Sequence, residues 1–268
     1  MAKIEILITG ANGYVGKSLY NSLKSNNKYD ITLLTRKECD LTNIDTDFFR
    51  GKYFDVVIHT AVVGGSRLKE EDDSILEQNL KMWRTLLANR VNYDRLIHFG
   101  SGAELNPTTP YGVSKQIIRE SLLTKDNFYN LRIFGVFDEN EWETRFIKTC
   151  INNYIAKKPI TIYQDRFFSF LYMEDLIILV KYYIDSNSSL LDKEYNCVYP
   201  LTFTLGEIAE LVNRLDDHKV DVLVDNDEWG VNYETSNYAR DLTKDLDMYG
   251  LPRGIRATYN KLKLKSYE

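Results

Sequence analysis

Cysteine and histidine are scarce in this sequence, with three of each among 268 residues. Cys39, Cys150 and Cys197 are too few and too scattered for a disulfide frame or a zinc site. His59, His98 and His218 likewise supply no cluster of nitrogen ligands, so no metal centre is expected. Basic charge is not in excess either. With 34 Lys and Arg against 39 Asp and Glu the net charge is −5, which leaves no electrostatic footprint for nucleic acid or an anionic membrane. Any anionic ligand must be held by local groups. Long hydrophobic runs are missing too: no stretch approaches the ~18 residues of a membrane span, and the longest, at 176–180, sits inside an amphipathic pattern. The first residues, Met1 to Glu5, enter a strand pattern without a signal h-region or cleavage site, so a cytoplasmic chain is expected. Repeats and low-complexity tracts are absent from the sequence.

What is present is an ordinary globular composition, 44% apolar and 27% charged, in a length suited to one sizeable core carrying a smaller lobe. The first half alternates short apolar runs with longer amphipathic ones. Strands are expected at 4–8, 31–34, 56–59, 96–99 and 129–133, and helices at 15–23, 74–89 and 111–123. Near-continuous apolar strands separated by helices predict an α/β fold: a doubly wound, Rossmann-type parallel sheet covered on both faces. Pro110 suits a first helical turn. Beyond residue 134 the elements shorten: a helix at 143–156, strands at 160–163 and 169–171, a helix at 174–184, a helix at 205–215 with Thr204 as its N-cap, and a strand at 222–224. The expected organisation is a dinucleotide-binding domain over 1–134 and a small C-terminal α/β substrate lobe over 135–268.

Two segments carry chemistry. GANGYVG at 10–16 opens directly off the first apolar strand. Gly10, Gly13 and Gly16 let the backbone turn sharply and approach a pyrophosphate, whose charge rests on the helix N-terminus, with Asn12, Tyr14 and Val15 filling the same loop. At the tip of the second strand an acid would grip a ribose 2′-OH, whereas an arginine favours a 2′-phosphate. Arg36 and Lys37 stand there, which points to NADP(H), with NAD(H) the alternative if both cations are simply solvated. The second segment is Tyr111-Gly-Val-Ser-Lys115. A free phenol has a pKa of ~10, but a lysine one helical turn on lies on the same face and favours the phenolate. Tyr111 can then give a proton to a carbonyl oxygen as hydride reaches carbon, or remove it in reverse. Lys115 is placed to bond the nicotinamide ribose, and Ser101, after the fourth strand, to polarise the carbonyl.

These residues resemble the extended short-chain dehydrogenase/reductase family (the NAD-dependent epimerase/dehydratase superfamily), particularly its 4-keto nucleotide-sugar reductases of the GDP-fucose synthase type. The likeness spans the glycine loop, Arg36 to Leu41, Thr60 to Gly65, Asn79, Ser101, Tyr111 and Lys115, Phe170 to Leu176 and Thr204 to Ala209. It implies cofactor contacts from Asp40 and Leu41 at the adenine, from Thr60, Ala61 and Val62 near the ribose and pyrophosphate, and from Asn79 and Ile133. It implies a nucleotide-diphosphate sugar as substrate, met by Ser101 and Gly102, with Arg145 and Arg166 as candidate substrate-binding cations of this chain's own. It also implies a homodimer built from the helices at 74–89 and 111–123.

Departures from the family pattern narrow the chemistry. Where sugar 4,6-dehydratases carry an acid pair after the serine position, Gly102 and Ala103 stand here. Where GDP-fucose synthase carries its epimerising cysteine and histidine, the chain has Ala103 and, over 143–146, Glu-Thr-Arg-Phe. Ketone reduction survives both losses. Arginines that hold the diphosphate in relatives are Phe168 and Tyr233, and an asparagine expected after the fifth strand is Gly135. Arg145, Lys148 and Arg166 either replace that charge or are surface residues. The expected function is NADPH-dependent reduction of the C4 ketone of a 4-keto-6-deoxy nucleotide sugar, with Tyr111 as general acid. The alternatives are a nucleotide-sugar epimerase with tightly bound NAD and a non-enzymatic NADP-binding module.

Overall fold

The computed structural model describes residues 2–66, 69–235 and 240–265. In its first half the strands are β1 (Ile4–Thr9), β2 (Tyr29–Leu34), β3 (Phe54–His59), β4 (Tyr93–Ser101) and β5 (Phe128–Ile133), with helices α1 (Tyr14–Leu23), α2 (Asp73–Ala88) and α3 (Pro110–Leu123) between them. The second half contains β6 (Gly135–Phe137), α4 (Phe146–Ile155), β7 (Ile160–Gln164), β8 (Phe167–Phe168), β9 (Phe170–Tyr172), α5 (Met173–Asp185), β10 (Glu194–Asn196), β11 (Phe203–Thr204), α6 (Leu205–Val212), β12 (Val222–Asn226) and α7 (Leu251–Lys265). The chain divides into two compact units, one of Met1–Arg132 with Val180–Tyr195, the other of Ile133–Leu179 with Asn196–Glu268. No helix among the described residues is long and apolar enough to cross a membrane.

The first unit is organised by a six-stranded sheet in the order β10-β5-β4-β3-β1-β2. Strand β1 runs parallel to both β2 and β3, and β3 runs parallel to β4. Ile6, Leu7, Ile8 and Thr9 are all fully buried, because helices cover both faces of a central parallel strand. On one face Leu7, Val57, Leu96 and Phe128 join Met82, Trp83 and Leu86 of α2 and Ile118 and Leu122 of α3 in one apolar cluster. Each such side chain contributes about 1.5–3 kcal/mol on leaving water. Helix α2 starts where the Asp72 carboxylate accepts the Ser74 N–H, and α3 where Thr109 accepts the Gly112 N–H with Pro110 in the first turn. This doubly wound sheet is the architecture expected from the alternation of apolar strands and amphipathic helices.

The edge strand β10 has no counterpart in the sequence pattern. Its three residues are too short for a periodicity, and Glu194 breaks the apolar run. It is hydrogen-bonded to β5 in the sheet, and Arg119 of α3 and Arg132 of β5 both pair with the Glu194 carboxylate.

In the second unit the helix expected over 143–156 begins only at Phe146. The preceding residues are turned by the Arg145 N–H to Trp142 carbonyl bond, and Glu143 spends its carboxylate on Asn152 and Lys148. The helix expected over 205–215 stops at Val212, because the Asn213 amide bonds back to both the N–H and the carbonyl of Val220. The Thr204 cap is present as a reciprocal box with Glu207. The strand expected at 169–171 is β9, shifted by one residue and paired with β6, and a further short strand, β8, precedes it and pairs with β11. Helix α7 is additional. It buries Leu251, Gly254, Ile255, Thr258, Tyr259 and Leu262 along one stripe, and a Cβ at Gly254 would lie 2.7 Å from the Cβ of Tyr172.

Within the sheet of the first unit two histidines are cross-strand partners. His59 of β3 and His98 of β4 stack with ring centroids 5.4 Å apart, and Trp83 covers His98 at 6.0 Å. The Thr9 hydroxyl bonds Nδ1 of His59 at 2.8 Å, whereas neither ring nitrogen of His98 has a hydrogen-bond partner. Burial, reinforced by the Lys115 ammonium, pushes His59 down to about 3 and His98 well below its ordinary value. Below the unfolded value of about 6.5 the unfolded chain therefore takes up protons that the folded chain refuses, so stability is lost as pH falls. Each histidine should contribute about 1.4 kcal/mol per pH unit to that slope between roughly pH 6 and 5. Urea unfolding across this window should show a slope smaller by about 1.4 kcal/mol per pH unit in His98→Phe than in the wild type; an unchanged slope would mean that His98 does not resist protonation.

Candidate active site

The glycine loop is shaped by what it cannot carry. Gly10 has φ +66°, and a Cβ there would lie 2.5 Å from the Ala61 nitrogen and 2.6 Å from its Cα. At Gly16 a Cβ would meet the Gly10 carbonyl and the Thr60 hydroxyl, each at 2.7 Å. The tips of β1 and β3 are thus pressed against the start of α1, with Thr60 Oγ1 donating to the Thr9 carbonyl at 2.6 Å. Gly13 is the N-cap of α1 and offers no capping side chain. Asn12 and Gly13 are exposed, Tyr14 and Val15 half-buried. A bare helix N-terminus under a loop without side chains is a cradle that fits a dinucleotide pyrophosphate.

After β2 the chain turns through Thr35 to Glu38. The Glu38 carboxylate accepts the Thr35 N–H at 2.9 Å and also its hydroxyl, so an acid does sit in this turn, engaged in holding it. Arg36 and Lys37 are exposed beside it. Asp40 accepts both the N–H and the hydroxyl of Thr42, bonds that hold its carboxyl below the usual range, while Leu41 is buried in the apolar cluster under the sheet. Val62 is exposed and Ala61 half-buried. Asn79 is wholly engaged: its amide pairs with the N–H and carbonyl of Val63, each at 2.9 Å, and donates to Ser114 Oγ at 3.0 Å. It thereby ties the segment after β3 to α2 and α3.

Ser101 ends β4 and caps a short 3-10 turn, Gly102–Glu104. Its hydroxyl accepts the Ala103 N–H at 3.2 Å, and its own N–H donates to Glu104 Oε2 at 3.1 Å. Glu104 is buried and also accepts from Asn130 Nδ2 at 2.8 Å and from Arg132 Nε at 2.6 Å. One turn into α3, the buried Lys115 donates from Nζ to the Phe99 carbonyl at 2.6 Å. That ammonium lies 5.7 Å from the centroid of the Tyr111 ring. Burial pulls Lys115 down to about 8, with the Glu104 charge acting the other way, so it is cationic at neutral pH. Ser101, Tyr111 and Lys115 therefore stand on one strand end and the helix that follows it. Among the described residues no group of acids, histidines and cysteines is arranged to hold a metal ion.

The remaining predicted residues lie outside the first unit. Ile133 is the last residue of β5. In the second unit Arg145 is the exposed N-cap of α4, its guanidinium over Trp142 at 5.7 Å. Lys148 is buried and consumed by the Glu139 and Glu141 carbonyls and the Glu143 carboxylate, a structural role that removes it as a substrate cation. Arg166 lies over Phe168 at 6.0 Å, and its Nε has no hydrogen-bond partner. Phe168 and Tyr233 pack at a tilt of 46° with centroids 5.0 Å apart. A Cβ at Gly135 would meet Phe170 at 2.8 Å and Phe168 at 3.0 Å. Three departures from the family pattern are thus one contiguous aromatic surface.

Sequence reasoning missed Glu104, Asn130 and Arg132. An isolated acid after a serine carries no signal of burial, and only the arginine inside an apolar strand hinted at a partner.

The sequence model of the NAD dependent epimerase/dehydratase family matches residues 6–197. No curated protein sequence matches the chain. Among solved structures it is similar to a GDP-mannoheptose C4 reductase from Campylobacter jejuni with NADP bound, at 16% identity and TM-score 0.80 over 98% of this chain and 99% of that one. A GDP-L-fucose synthetase from Naegleria fowleri bound to NADP gives 15%, 0.76, 100% and 95%. A UDP-glucuronic acid 4-epimerase from Bacillus cereus in complex with UDP-glucuronic acid and NAD gives 18%, 0.74, 98% and 100%. At these identities the likeness is one of fold.

Because Arg132 is the buried counter-charge of Glu104, Arg132→Met should lower unfolding free energy by about 3–5 kcal/mol. Urea unfolding at neutral pH measures this, and a loss below about 1 kcal/mol would mean that the pair is not held dry.

Proposed function

The chain belongs to the NAD-dependent epimerase/dehydratase family, and from that premise we propose that it is an NADPH-dependent reductase of the C4 ketone of a 4-keto-6-deoxy nucleotide-diphosphate sugar. The observation that carries this reading is the grouping of Ser101, Tyr111 and Lys115 beside a glycine cradle, with Glu104, the acid that follows Ser101, turned inward to Arg132 and Asn130. The loop at 10–16 and the start of α1 hold the pyrophosphate, and Arg36 meets the 2′-phosphate. Bound NADPH supplies the hydride. Ser101 Oγ orients the carbonyl oxygen, and Tyr111 Oη gives that oxygen its proton as charge develops. The Lys115 ammonium, fixed by the Phe99 carbonyl, stabilises the phenolate left behind. Arg145 and Arg166, the cations left after Lys148 is set aside, take the substrate's diphosphate. The same reading includes a homodimer through α2 and α3.

The C4 reductase and fucose synthetase neighbours support reduction, and the epimerase neighbour shares the fold, so fold does not separate the two. Against an epimerase that keeps NAD bound and returns the hydride to the other face stands Arg36, whereas Ala103 and the Glu-Thr-Arg-Phe run at 143–146 stand only against acid–base epimerisation at the carbons beside the ketone.

Loss of reduced-nicotinamide absorbance should be followed with NADPH and NADH against 4-keto-6-deoxy sugars on GDP, CDP, UDP and dTDP. Consumption of NADPH with one of these is expected. No consumption, with a dinucleotide released on denaturation, would establish the epimerase instead. Tyr111→Phe should lower turnover by about 10²–10⁴-fold while leaving NADPH affinity unchanged. Arg36→Ala should weaken NADPH binding roughly 10- to 100-fold and NADH binding hardly at all, as read by fluorescence titration; equal losses for both would remove Arg36 from the 2′-phosphate.

A further inference from the structure

Helix α3 begins with an unusual division of donors. Pro110 has no N–H, the Gly112 N–H goes to Thr109 Oγ1 at 3.1 Å, and the Val113 N–H goes to the Thr109 carbonyl at 2.9 Å. The Tyr111 N–H is taken from outside the helix, by Glu71 Oε2 at 2.9 Å. The other oxygen of the same carboxylate, Oε1, accepts the Gly65 N–H at 2.6 Å. Glu71 lies just before α2, and neither composition nor motif assigns it a role.

Gly65 in turn touches the tyrosine ring. Its φ is +77°, and a Cβ there would lie 3.0–3.2 Å from the Cζ, Cε2 and Cε1 atoms of Tyr111. Gly64, at φ +87°, is equally confined: a Cβ would lie 2.7 Å from Ile75 Cγ2 and 3.1 Å from Glu71 Oε1. One carboxylate therefore fixes the main chain of Tyr111 and, through Gly65, the backbone against the reacting end of its ring. Lys115 flanks the same ring from α3.

We propose that Glu71 is a positioning residue for Tyr111: its two carboxylate oxygens clamp the Gly64–Gly65 segment onto the ring and hold the phenol in register for proton transfer. The proposal rests on Tyr111 being the proton donor, but the clamp itself does not. A misplacement of about 1 Å at a reacting group costs up to 10²-fold in rate, which is why such a clamp matters. The chemistry of the variant is selective. In Glu71→Gln the amide keeps one acceptor oxygen and turns an NH₂ group toward the other N–H, so one of the two bonds must be lost.

The first measurement needs no substrate. The protein is labelled with ¹³Cζ-tyrosine, and the Tyr111 signal is assigned by its disappearance in Tyr111→Phe. In Glu71→Gln that signal should shift and broaden while the other tyrosine signals stay in place. Gly65→Ala, which adds a methyl against the ring at a positive φ, should move the same signal with Glu71 intact. An unmoved Tyr111 signal in Glu71→Gln overturns the proposal, as does a change spread over all tyrosines with a lowered melting temperature, which marks a purely structural role. The second measurement uses the reductase assay. Glu71→Gln should lower kcat roughly 10- to 100-fold and raise the solvent deuterium isotope effect on kcat, with the NADPH dissociation constant unchanged. Wild-type kcat in Glu71→Gln, alongside an inactive Tyr111→Phe, sinks the positioning role. Retained turnover in Tyr111→Phe instead sinks the assignment of Tyr111 as acid and leaves the NMR result to decide the clamp.

Discussion

The buried carboxylate of Glu104 is the constraint on which the chemical end of the first unit depends. A carboxylate in a dry interior is tolerated only when its lone pairs are met and a counter-charge is at hand. Here Arg132, Asn130 and the Ser101 N–H meet them. The requirement propagates outward. Gly100 has to be glycine, since a Cβ there would lie 2.6 Å from Asn130 Oδ1 and 2.7 Å from Glu104 Oε2. Arg132 reaches on to Glu194, and Arg119 of α3 grips that same carboxylate. One chain of charges thus links the strand that ends in Ser101, the helix that carries Tyr111 and Lys115, and both strands at the sheet edge. Lys115 closes the arrangement by bonding the Phe99 carbonyl on β4.

Such a network is not needed for stability as such, because an apolar replacement of similar volume often serves as well. What it provides is direction. The 3-10 turn after Ser101 is closed by a reciprocal box in which Glu104 returns to the Ser101 N–H, so the serine hydroxyl has one orientation relative to the strand end. It also disposes of the acid that follows the serine in this turn. A carboxyl facing the substrate from this turn would offer the proton relay needed to lose water from a sugar. Facing Arg132, it offers none.

The legibility of the sequence follows from where the determining information lies. Strands β1, β3, β4 and β5 are apolar runs whose burial is written in their own residues, and the glycine loop declares itself because its constraint is the absence of side chains at Gly10 and Gly16. Thr204 and Pro110 are legible for the same local reason. Strand β10 is not, because three residues carrying a glutamate show no apolar period of their own, and the strand's partners, β5 and the arginines Arg119 and Arg132, lie far away in sequence. Glu71 and Glu104 look like two more surface acids in a chain with 39 acidic residues. Their roles exist only through partners far away in sequence. Helix α7 was legible in principle, since its stripe of Leu251, Ile255, Tyr259 and Leu262 has a clear helical period.

The two ends of the first unit are therefore built on opposite principles, and this bears on how each tolerates change. The dinucleotide cradle is fixed by sterics. Backbone atoms of Thr60 and Ala61 lie within 3 Å of where a Gly10 side chain would begin, so the loop accepts no substitution there but makes no demand on its surroundings beyond close approach. The end that carries Ser101, Tyr111 and Lys115 is fixed by charge and hydrogen bonds drawn from five separate segments. It can be altered at a distance, through Glu194, Asn130 or Glu71, without touching Ser101, Tyr111 or Lys115. In the second unit the same logic appears as a packing trade. Once Phe168 occupies the space beside residue 135, a side chain there has nowhere to go, and Gly135 follows from Phe168 and Phe170 as a single event. The neighbouring positions are coupled in the same way: Phe168 packs at a tilt against Tyr233, and the Arg166 guanidinium lies over Phe168. Arg166 is thus placed by a ring face, and its buried Nε has no hydrogen-bond partner.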